Sequence, residues 1–347
     1  MHKRIAIIGA SGYTGGELAR LLLGHPGLEL AWATSRAHAG TPLCEVYPHL
    51  RDFTDLVLSA PELERLPAGV EAVFVALPHV EAMGVVPGLL ERGLRVVDLS
   101  ADFRLRDPAV YAQWYGHEHR APGLLAEAVY GLAEIERERV RDASLVANPG
   151  CYPTATLLPL VPLARRGLIG PFGVVVDAKS GVSGAGRGAK QGSLYCEVTE
   201  GLGPYSAGRH RHQPEMEQEL ERAAGAPVRL TFVPHLAPLA RGMEATIYLE
   251  PPAGQGIDEV HAALAEAYAG EPFVKVLPAG RLPSIRDAAG TNLCRIGCTD
   301  DPRGGRVILG SVIDNLVKGA AGQALQNMNL MLGLPETDGL GAPGLYP

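Results

Sequence analysis

A strand, a glycine-rich loop and a helix follow one another within the first 25 residues, and this order constrains the fold more than any other feature of the chain. Residues 4–8 are the run Arg-Ile-Ala-Ile-Ile, residues 9–16 are Gly-Ala-Ser-Gly-Tyr-Thr-Gly-Gly, and residues 17–23 have a helical apolar pattern. Glycines at such a turn let the backbone approach a pyrophosphate at the helix N-terminus. The G-x-x-G-x-x-G spacing is looser than G-x-G-x-x-G, but its context is the required one. We therefore predict that the chain begins with a parallel, dinucleotide-binding α/β (Rossmann) domain.

The end of the second predicted strand indicates which dinucleotide is bound. The apolar run 28–33 is followed by Thr34, Ser35 and Arg36. An NAD site usually has an acidic residue here, whereas a hydroxyl and a guanidinium suit a 2′-phosphate, so NADP is favoured. The loops after the predicted strands 72–77 and 96–99 should line the same crevice. The candidate cofactor-binding residues of this part are Gly9, Ser11, Gly12, Tyr13, Thr14, Gly15, Ser35, Arg36, Leu77, Pro78, His79 and Ser100.

The segment Asn148-Pro149-Gly150-Cys151-Tyr152-Pro153-Thr154 places one cysteine where a thiol would be reactive. A short apolar strand, residues 144–147, comes before it, and a helical apolar pattern follows. Pro149 and Gly150 force a tight turn, so we expect Cys151 at or near a helix N-terminus, where N–H groups and the helix dipole favour an anion. Such a position lowers a thiol pKa from about 8.5 into roughly 3.5–7.5. The alternative is a buried structural cysteine, which is the commoner state of a free cysteine.

A second glycine-rich loop follows the predicted strand 174–179 and reads Ser180-Gly181-Val182-Ser183-Gly184-Ala185-Gly186-Arg187-Gly188. Its free N–H groups can hold a phosphate or a nicotinamide amide. Lys179, Arg187 and Lys190 bracket the loop and favour an anion site over a flexible surface loop. Four further candidate cofactor-binding residues come from this loop: Ser180, Gly181, Ser183 and Gly184.

The segment Gly208-Arg209-His210-Arg211-His212-Gln213-Pro214-Glu215 offers a base together with an anion clamp. In a strand, His210 and His212 would share one face, while Arg209 and Arg211 would share the other. A histidine near a cysteine is the pairing that a thiol nucleophile needs. No third ligand motif accompanies the two histidines, and catalytic zinc needs three protein ligands, so we predict no metal site.

Composition narrows the class of protein. The 347 residues suit two domains, and the apolar fraction of 46% and charged fraction of 20% are those of an ordinary globular protein. A net charge of −7 argues against a nucleic-acid or anionic-membrane partner. No apolar run approaches 18 residues, so we expect neither a signal peptide nor a membrane span. The five scattered cysteines have no disulfide-framework spacing, which indicates a reducing cytoplasm.

Six motifs are highly specific when they are taken together. They are Gly9–Gly15, Asp98–Arg104, Asn148–Thr154, Ser180–Arg187, Arg209–Glu215 and Asp314–Gly319. With this combination the chain resembles, from Gly9 to about Gly344, the aspartate-semialdehyde dehydrogenase-like family, and within it the branch of N-acetyl-γ-glutamyl-phosphate reductases.

The resemblance implies a two-domain architecture. Residues 1–150 would form an NADP-binding Rossmann domain, completed by a C-terminal helix at about 314–333, and residues 151–313 a mixed α/β catalytic and oligomerisation domain. It also implies Cys151 as the nucleophile and His212 as the acid–base group, with His210 beside it at the substrate. The protein would act on a small molecule in the cytoplasm as a homo-oligomer, either a dimer or a tetramer.

The activity that the resemblance implies is NADPH-dependent reduction of N-acetyl-L-glutamyl 5-phosphate to N-acetyl-L-glutamate 5-semialdehyde and phosphate, through a Cys151 thioester, in arginine biosynthesis. A phosphate that leaves from this site would be helped by Lys179, Arg187 or Arg211. The candidates for the substrate carboxylate are Arg104, Arg209 and Arg241, and Asn315 of the last motif is a further candidate at the cofactor.

Four alternatives remain open at this point. Two lie in the same family: a reductase of carrier-protein-linked aminoadipyl or glutamyl phosphate in lysine or arginine biosynthesis, and an aspartate-semialdehyde dehydrogenase. The intact motifs Asn148–Thr154 and Ser180–Arg187 favour the small acetylated substrate. The other two are a Cys–His hydrolase or acyltransferase that needs no dinucleotide, and an NADPH-sensing regulator without catalysis.

Overall fold

The computed structural model describes residues 2–170 and 172–344, which form two compact units. The first unit runs to Pro149 and includes Ala320–Ala342; the second runs from Gly150 to Gly319 and includes Pro343 and Gly344. The strands are β1 (Lys3–Ile8), β2 (Leu28–Thr34), β3 (Val70–Val75), β4 (Arg95–Asp98), β5 (Val129–Tyr130), β6 (Leu145–Ala147), β7 (Val174–Gly181), β8 (Gly203–Pro204), β9 (Leu230–Ala237), β10 (Met243–Leu249), β11 (Val274–Val276), β12 (Cys294–Asp301) and β13 (Arg306–Ile313). The helices are α1 (Tyr13–Leu23), α2 (Leu43–Val46), α3 (Val86–Glu91), α4 (Pro108–Tyr115), α5 (Ala133–Asp142), α6 (Cys151–Arg165), α7 (Tyr195–Val198), α8 (His212–Ala224), α9 (Ile257–Ala267) and α10 (Gly322–Met331).

The first unit contains a parallel sheet with the strand order β2-β1-β3-β4-β6-β5. Residues 5–8 of β1 are fully buried, as expected of a central parallel strand that is covered on both faces. Because β1 lies between β2 and β3, successive crossovers run to opposite sides of β1, and ligands bind open parallel sheets beyond the carboxyl ends of the strands at such a switch point. The predicted Rossmann domain is confirmed.

The C-terminal helix α10 packs on α5 of the same unit, and buried amides hold it there. Gln323 and Asn327 both donate a hydrogen bond to the Gly131 C=O, at 3.0 and 2.8 Å. Asn327 also donates to the side-chain oxygen of Asn148 at 3.1 Å. The sequence predicts one helix over this region, but the structure has a π-helical turn at Val317–Ala321 before α10 begins.

The second unit contains a mixed sheet with the strand order β11-β12-β13-β10-β7-β9-β8. Helix α6 packs on β10 and β13, α9 packs on β12, and α8 lies against α6. Cys294 and Cys298 are buried in β12. Among residues 2–170 and 172–344, no helix combines the length and the apolar character that a membrane crossing requires.

The two faces of this sheet differ. Phe232 of β9 contacts Tyr152 of α6, with ring centroids 5.2 Å apart, and Phe232 pairs in register with Val176 of β7, so these positions mark the face that carries α6. Because side chains alternate along a strand, Asp177 and Lys179 lie on the opposite face.

Candidate active site

The glycine loop between β1 and α1 is a turn in which backbone touches backbone. Gly9 has φ +92°, and a Cβ there would lie 2.4 Å from the Ala76 carbonyl oxygen. A Cβ on Gly15 would lie 2.5 Å from the Gly9 carbonyl oxygen. Larger residues would therefore clash at both positions. These two glycines are required by the close approach, as the sequence predicts for a dinucleotide loop.

A tyrosine that the sequence did not single out closes the loop from the outside. The Tyr47 hydroxyl lies 2.8 Å from the Ser11 carbonyl oxygen and 2.6 Å from that of Gly12, within reach to donate to either. Helix α1 then begins at Tyr13, with neither a side-chain cap nor an acidic residue in its first turn. The N-terminal N–H groups of α1 therefore have no side-chain acceptor at the cap. A glycine cradle at an uncapped helix N-terminus fits the pyrophosphate of a dinucleotide.

The two residues predicted to bind the 2′-phosphate, Ser35 and Arg36, differ in their exposure. Ser35 is buried, and its hydroxyl donates to the Ser11 hydroxyl at 2.8 Å. The Arg36 side chain is 65% exposed and forms an ion pair with Glu81 at 2.5 Å. The guanidinium is therefore the group that can exchange its partner for a phosphate, whereas the serine shapes the loop.

The loops after β3 and β4 bind one another. His79 Nδ1 accepts the Ala101 N–H at 3.1 Å. The buried Ser100 hydroxyl donates to Asp98 at 2.7 Å and accepts the Asp102 N–H at 3.0 Å. Burial raises the pKa of the Asp98 carboxyl to about 7. Ser100 thus organises the loop through internal hydrogen bonds. Leu77 and Pro78 lie in the loop after β3, and Leu77 packs beside Gly9.

Arg104 is buried within the first unit and is 6% exposed. Its Nε donates to the Asn148 C=O at 2.8 Å, and its Nη2 donates to the Leu99 C=O at 3.0 Å. This guanidinium therefore ties the loop after β4 to the residue that precedes Pro149.

Cys151 is the first residue of α6, so the helix begins where the sequence predicts. Gly150 precedes it, with no side-chain cap and no acidic residue in the first turn. Cys151 is half-buried rather than enclosed in the core. A Cβ on Gly319 would lie 2.8 Å from the Cys151 Cβ, so the segment 314–319 packs directly on the cysteine. The N–H groups of the first turn of α6 and the helix dipole favour a thiolate at this position.

A buried glutamate that is not among the predicted site residues holds the start of α6. Glu215, 1% exposed, accepts the Gly150 N–H at 2.9 Å. It lies one turn into α8, the helix that begins at His212. Its carboxylate joins the N-terminal ends of the two helices that carry Cys151 and His212. No local sequence signal indicates this contact, because the two residues lie 65 positions apart.

The two histidines do not lie in a strand, so the shared face that a strand would give them does not apply. His210 follows the turn at residues 207–209, and His212 is the first residue of α8. Their ring centroids are 4.8 Å apart, and the Tyr152 ring lies 5.6 Å from His210 and 6.0 Å from His212. Burial, with a smaller contribution from the charge of Arg211, lowers the pKa of His210 to about 4.

The second glycine-rich loop is held by Asn315. Its side-chain oxygen accepts the Gly242 N–H at 2.6 Å, and its amide donates to the Ser183 hydroxyl at 2.9 Å. A Cβ on Gly181 would lie 2.8 Å from the Arg241 Cα, whereas Gly184 is exposed. The buried Ser180 hydroxyl donates to the Gly181 C=O at 3.0 Å.

The structure separates the predicted substrate-binding cations of the second unit. Lys179 forms an ion pair with Asp177 at 3.1 Å and lies on the sheet face opposite α6. Arg241 forms an ion pair with the buried Asp314 at 3.3 Å. The remaining three are exposed on loops: Arg187, Arg209 and Arg211.

A groove of about 900 Å³ in the first unit is lined by the starts of β1, β3 and β4, at Lys3, Glu71 and Arg95. It therefore lies at the edge of the sheet opposite the glycine loop, and it is separate from the predicted cofactor crevice.

Two family models match the chain. Residues 4–143 match the NAD binding domain of semialdehyde dehydrogenase, and residues 151–315 match its dimerisation domain. The solved aspartate semialdehyde dehydrogenase II of Vibrio cholerae, complexed with ASA, has a TM-score of 0.73 at 18% identity over 96% of this chain and 99% of that one. The aspartate semialdehyde dehydrogenase of Candida albicans with NADP has a TM-score of 0.67 at 17% identity, with the same coverage. At these identities the two structures show a shared fold alone.

Full-length relatives are more similar. The N-acetyl-gamma-glutamyl-phosphate reductase of Geobacter metallireducens is 54% identical over 99% of both chains. Those of Desulforudis audaxviator and Pelotomaculum thermopropionicum are each 52% identical, over 99% and 100% of both chains. The chain therefore belongs to the semialdehyde dehydrogenase family, within the branch of N-acetyl-gamma-glutamyl-phosphate reductases.

Proposed function

We propose that this chain catalyses the NADPH-dependent reduction of N-acetyl-L-glutamyl 5-phosphate to N-acetyl-L-glutamate 5-semialdehyde and phosphate, a step of arginine biosynthesis. The observation that carries the proposal is a cysteine at the uncapped N-terminus of α6, with two histidine rings beside the neighbouring tyrosine. The names of relatives that are 52% to 54% identical over nearly the whole chain support this substrate over aspartyl phosphate.

Cys151 is the nucleophile in this proposal. Its thiolate attacks the acyl carbonyl carbon, the carbon–oxygen bond to phosphate breaks, and a thioester forms on sulfur while phosphate leaves with the bonding electrons. When it is bound, NADPH supplies the hydride that reduces this thioester. Collapse of the resulting oxyanion releases the aldehyde and returns the thiolate. The helix N-terminus stabilises the anionic sulfur both before attack and after release.

His212 is the acid–base group. It accepts the thiol proton when Cys151 becomes charged. As an imidazolium it donates a hydrogen bond to the oxyanion until the aldehyde leaves, and its proton can then return to the sulfur. Glu215 fixes the Gly150 N–H at the start of α6, so this carboxylate positions the sulfur without touching the substrate. The exposed cations Arg187, Arg209 and Arg211 are the groups that we assign to the phosphate and carboxylate of the substrate.

The cofactor residues of the proposal lie in the first unit. The N–H groups at the start of α1 would hold the pyrophosphate, and Arg36 would pair with the 2′-phosphate in place of Glu81. The first unit is then the cofactor domain, and the second is the catalytic and oligomerisation domain. A match to a dimerisation domain over 151–315 supports a homodimer or a tetramer built from it. Light scattering of the purified protein measures this assembly state.

The decisive experiment runs the reaction in reverse, with N-acetylglutamate semialdehyde, phosphate and NADP⁺, and follows the formation of NADPH. We expect turnover that requires phosphate. Aspartate semialdehyde and a carrier-protein-linked aminoadipate semialdehyde serve as competing substrates. A higher kcat/KM for either one would replace the proposed substrate, and ester hydrolysis without NADPH formation would replace the reaction class.

A further inference from the structure

We infer that His210 is a positioning residue, which holds the first residue of α8, and with it the His212 imidazole, through a hydrogen bond to the main chain. The inference rests on the proposed function because it takes His212 as the acid–base group. It assigns His210 a task other than contact with the substrate.

The His210 ring contacts the main chain at the start of α8. His210 Nδ1 accepts the His212 main-chain N–H at 3.1 Å. N–H groups in the first turn of a helix have no partner within the helix, and the preceding residue, Arg211, provides no side-chain cap for α8. The imidazole of His210 therefore does what a capping side chain does at other helices. It does so at the residue from which the acid–base imidazole projects.

Neighbouring aromatic side chains confine the His210 ring. Three aromatic rings surround His210, with centroid distances of 5.6 Å to Tyr152, 5.5 Å to Tyr205 and 5.3 Å to Phe232. The Tyr205 hydroxyl donates to the Tyr152 hydroxyl at 3.1 Å, and the latter donates to the His235 C=O at 3.2 Å. Two of the three rings are thus anchored by hydrogen bonds. The cage also includes the residue next to Cys151, so it relates the start of α8 to the start of α6.

The hydrogen bond at Nδ1 determines which ring nitrogen of His210 carries the proton. Because Nδ1 accepts a hydrogen bond, the neutral ring of His210 carries its proton on Nε2. Burial lowers the pKa of this ring to about 4, so the ring stays neutral and Nδ1 remains an acceptor at neutral pH. A protonated ring would have an N–H at both nitrogens and would lose the bond to His212. The two histidines therefore have different roles in this proposal: His210 keeps the geometry of the helix start, and His212 exchanges the proton of the reaction.

Two substitutions of His210 by amide side chains test the roles of its Nδ1 and Nε2 atoms separately. His210→Asn keeps an acceptor at the place of Nδ1, and His210→Gln keeps a donor at the place of Nε2. We expect His210→Asn to retain kcat within about threefold, and His210→Gln to lower kcat about tenfold with little change in KM, since about 1.4 kcal/mol corresponds to a factor of ten. Equal NADPH affinity in all variants serves as the control for an intact first unit.

The opposite order would overturn the inference. If His210→Gln retains kcat and His210→Asn loses it, Nε2 contacts the substrate and the residue is a ligand. Wild-type kcat and KM in both variants would show that the His210 imidazole has no role in the reaction.

A readout without substrate keeps this result distinct from a failure of the proposed function. Amide hydrogen exchange at His212 should be slow in the wild type and in His210→Asn, and faster in His210→Gln. Tyr205→Phe offers a variant for the case that neither His210 substitution folds, because this side chain is partly exposed. It removes one cage hydroxyl, so we expect faster exchange at His212 and about twofold to threefold lower kcat. Unchanged exchange in Tyr205→Phe would overturn the inference.

Discussion

The two candidate sites of this protein are fixed in different ways. In the first unit backbone meets backbone, because a Cβ on Gly9 or Gly15 would lie within 2.5 Å of a carbonyl oxygen. In the second unit side chains meet backbone N–H groups: Glu215 accepts from Gly150, and His210 accepts from His212. A site of the first kind needs small residues at fixed spacing. A site of the second kind needs particular polar atoms brought together from separate segments.

The largest effect should come from the reacting atom. Cys151→Ala removes the thiol and leaves the helix start intact, so we expect reduction to fall by at least about 10³-fold while NADPH affinity stays unchanged. Steady-state kinetics and fluorescence titration with NADPH measure the two quantities. Retained turnover would remove the covalent mechanism, and a parallel loss of NADPH binding would show that the two sites are not separable.

A substitution in the glycine loop should have the next largest effect, and it should lower the affinity for NADPH. Gly15→Ala places a methyl group 2.5 Å from the Gly9 carbonyl oxygen, so the loop must shift, and we expect NADPH affinity to fall at least about 100-fold. Gly123→Ala is the matched control in the same unit, since a Cβ there has no atom within 4 Å. Wild-type affinity in Gly15→Ala would contradict the close-approach argument.

These differences explain what the sequence could predict. The Rossmann fold, the tight loop and a helix beginning at Cys151 followed from local signals: strand, glycine spacing, proline–glycine turn, helix. The link from Glu215 to Gly150 joins residues 65 apart, and no local pattern indicates it. The position of Lys179 depends on which face of β7 carries α6, which only the packing decides.

The free energy of unfolding should depend on pH differently in the wild type and in the His210→Asn variant. The pKa of His210 is lowered from 6.5 to about 4 in the folded state, so the unfolded chain takes up a proton first as pH falls. Stability from this group is complete above pH 6.5 and decreases as pH falls from 6.5 to about 4, by about 3 kcal/mol at most. Thermal midpoints of the wild type and of His210→Asn at several pH values measure the difference. Parallel curves would contradict the pKa assignment.

Loss of the hydrogen bond between Glu215 and Gly150 should lower stability and kcat moderately. Glu215→Ala leaves the Gly150 N–H without its carboxylate, which costs about 1–3 kcal/mol of stability, and we expect about tenfold lower kcat because the sulfur is less well placed. Glu215→Gln keeps an acceptor oxygen and should stay within about threefold of the wild type. Equal losses in both variants would mean that the charge, rather than the acceptor, matters.

The smallest effect should come from the exposed end of the cofactor site. Arg36→Ala should weaken NADPH about fivefold and leave NADH unchanged, since only NADPH carries the 2′-phosphate. The effect is limited because Arg36 is 65% exposed and already paired with Glu81. Glu81→Gln frees the guanidinium and should tighten NADPH about twofold, again without effect on NADH. These two substitutions test whether Arg36 selects NADPH over NADH. The glycines of the neighbouring loop, in contrast, are needed for the shape of the loop with either dinucleotide. If Arg36→Ala lowered the affinity for NADPH and for NADH equally, Arg36 would shape the loop, as the glycines do, rather than select the 2′-phosphate.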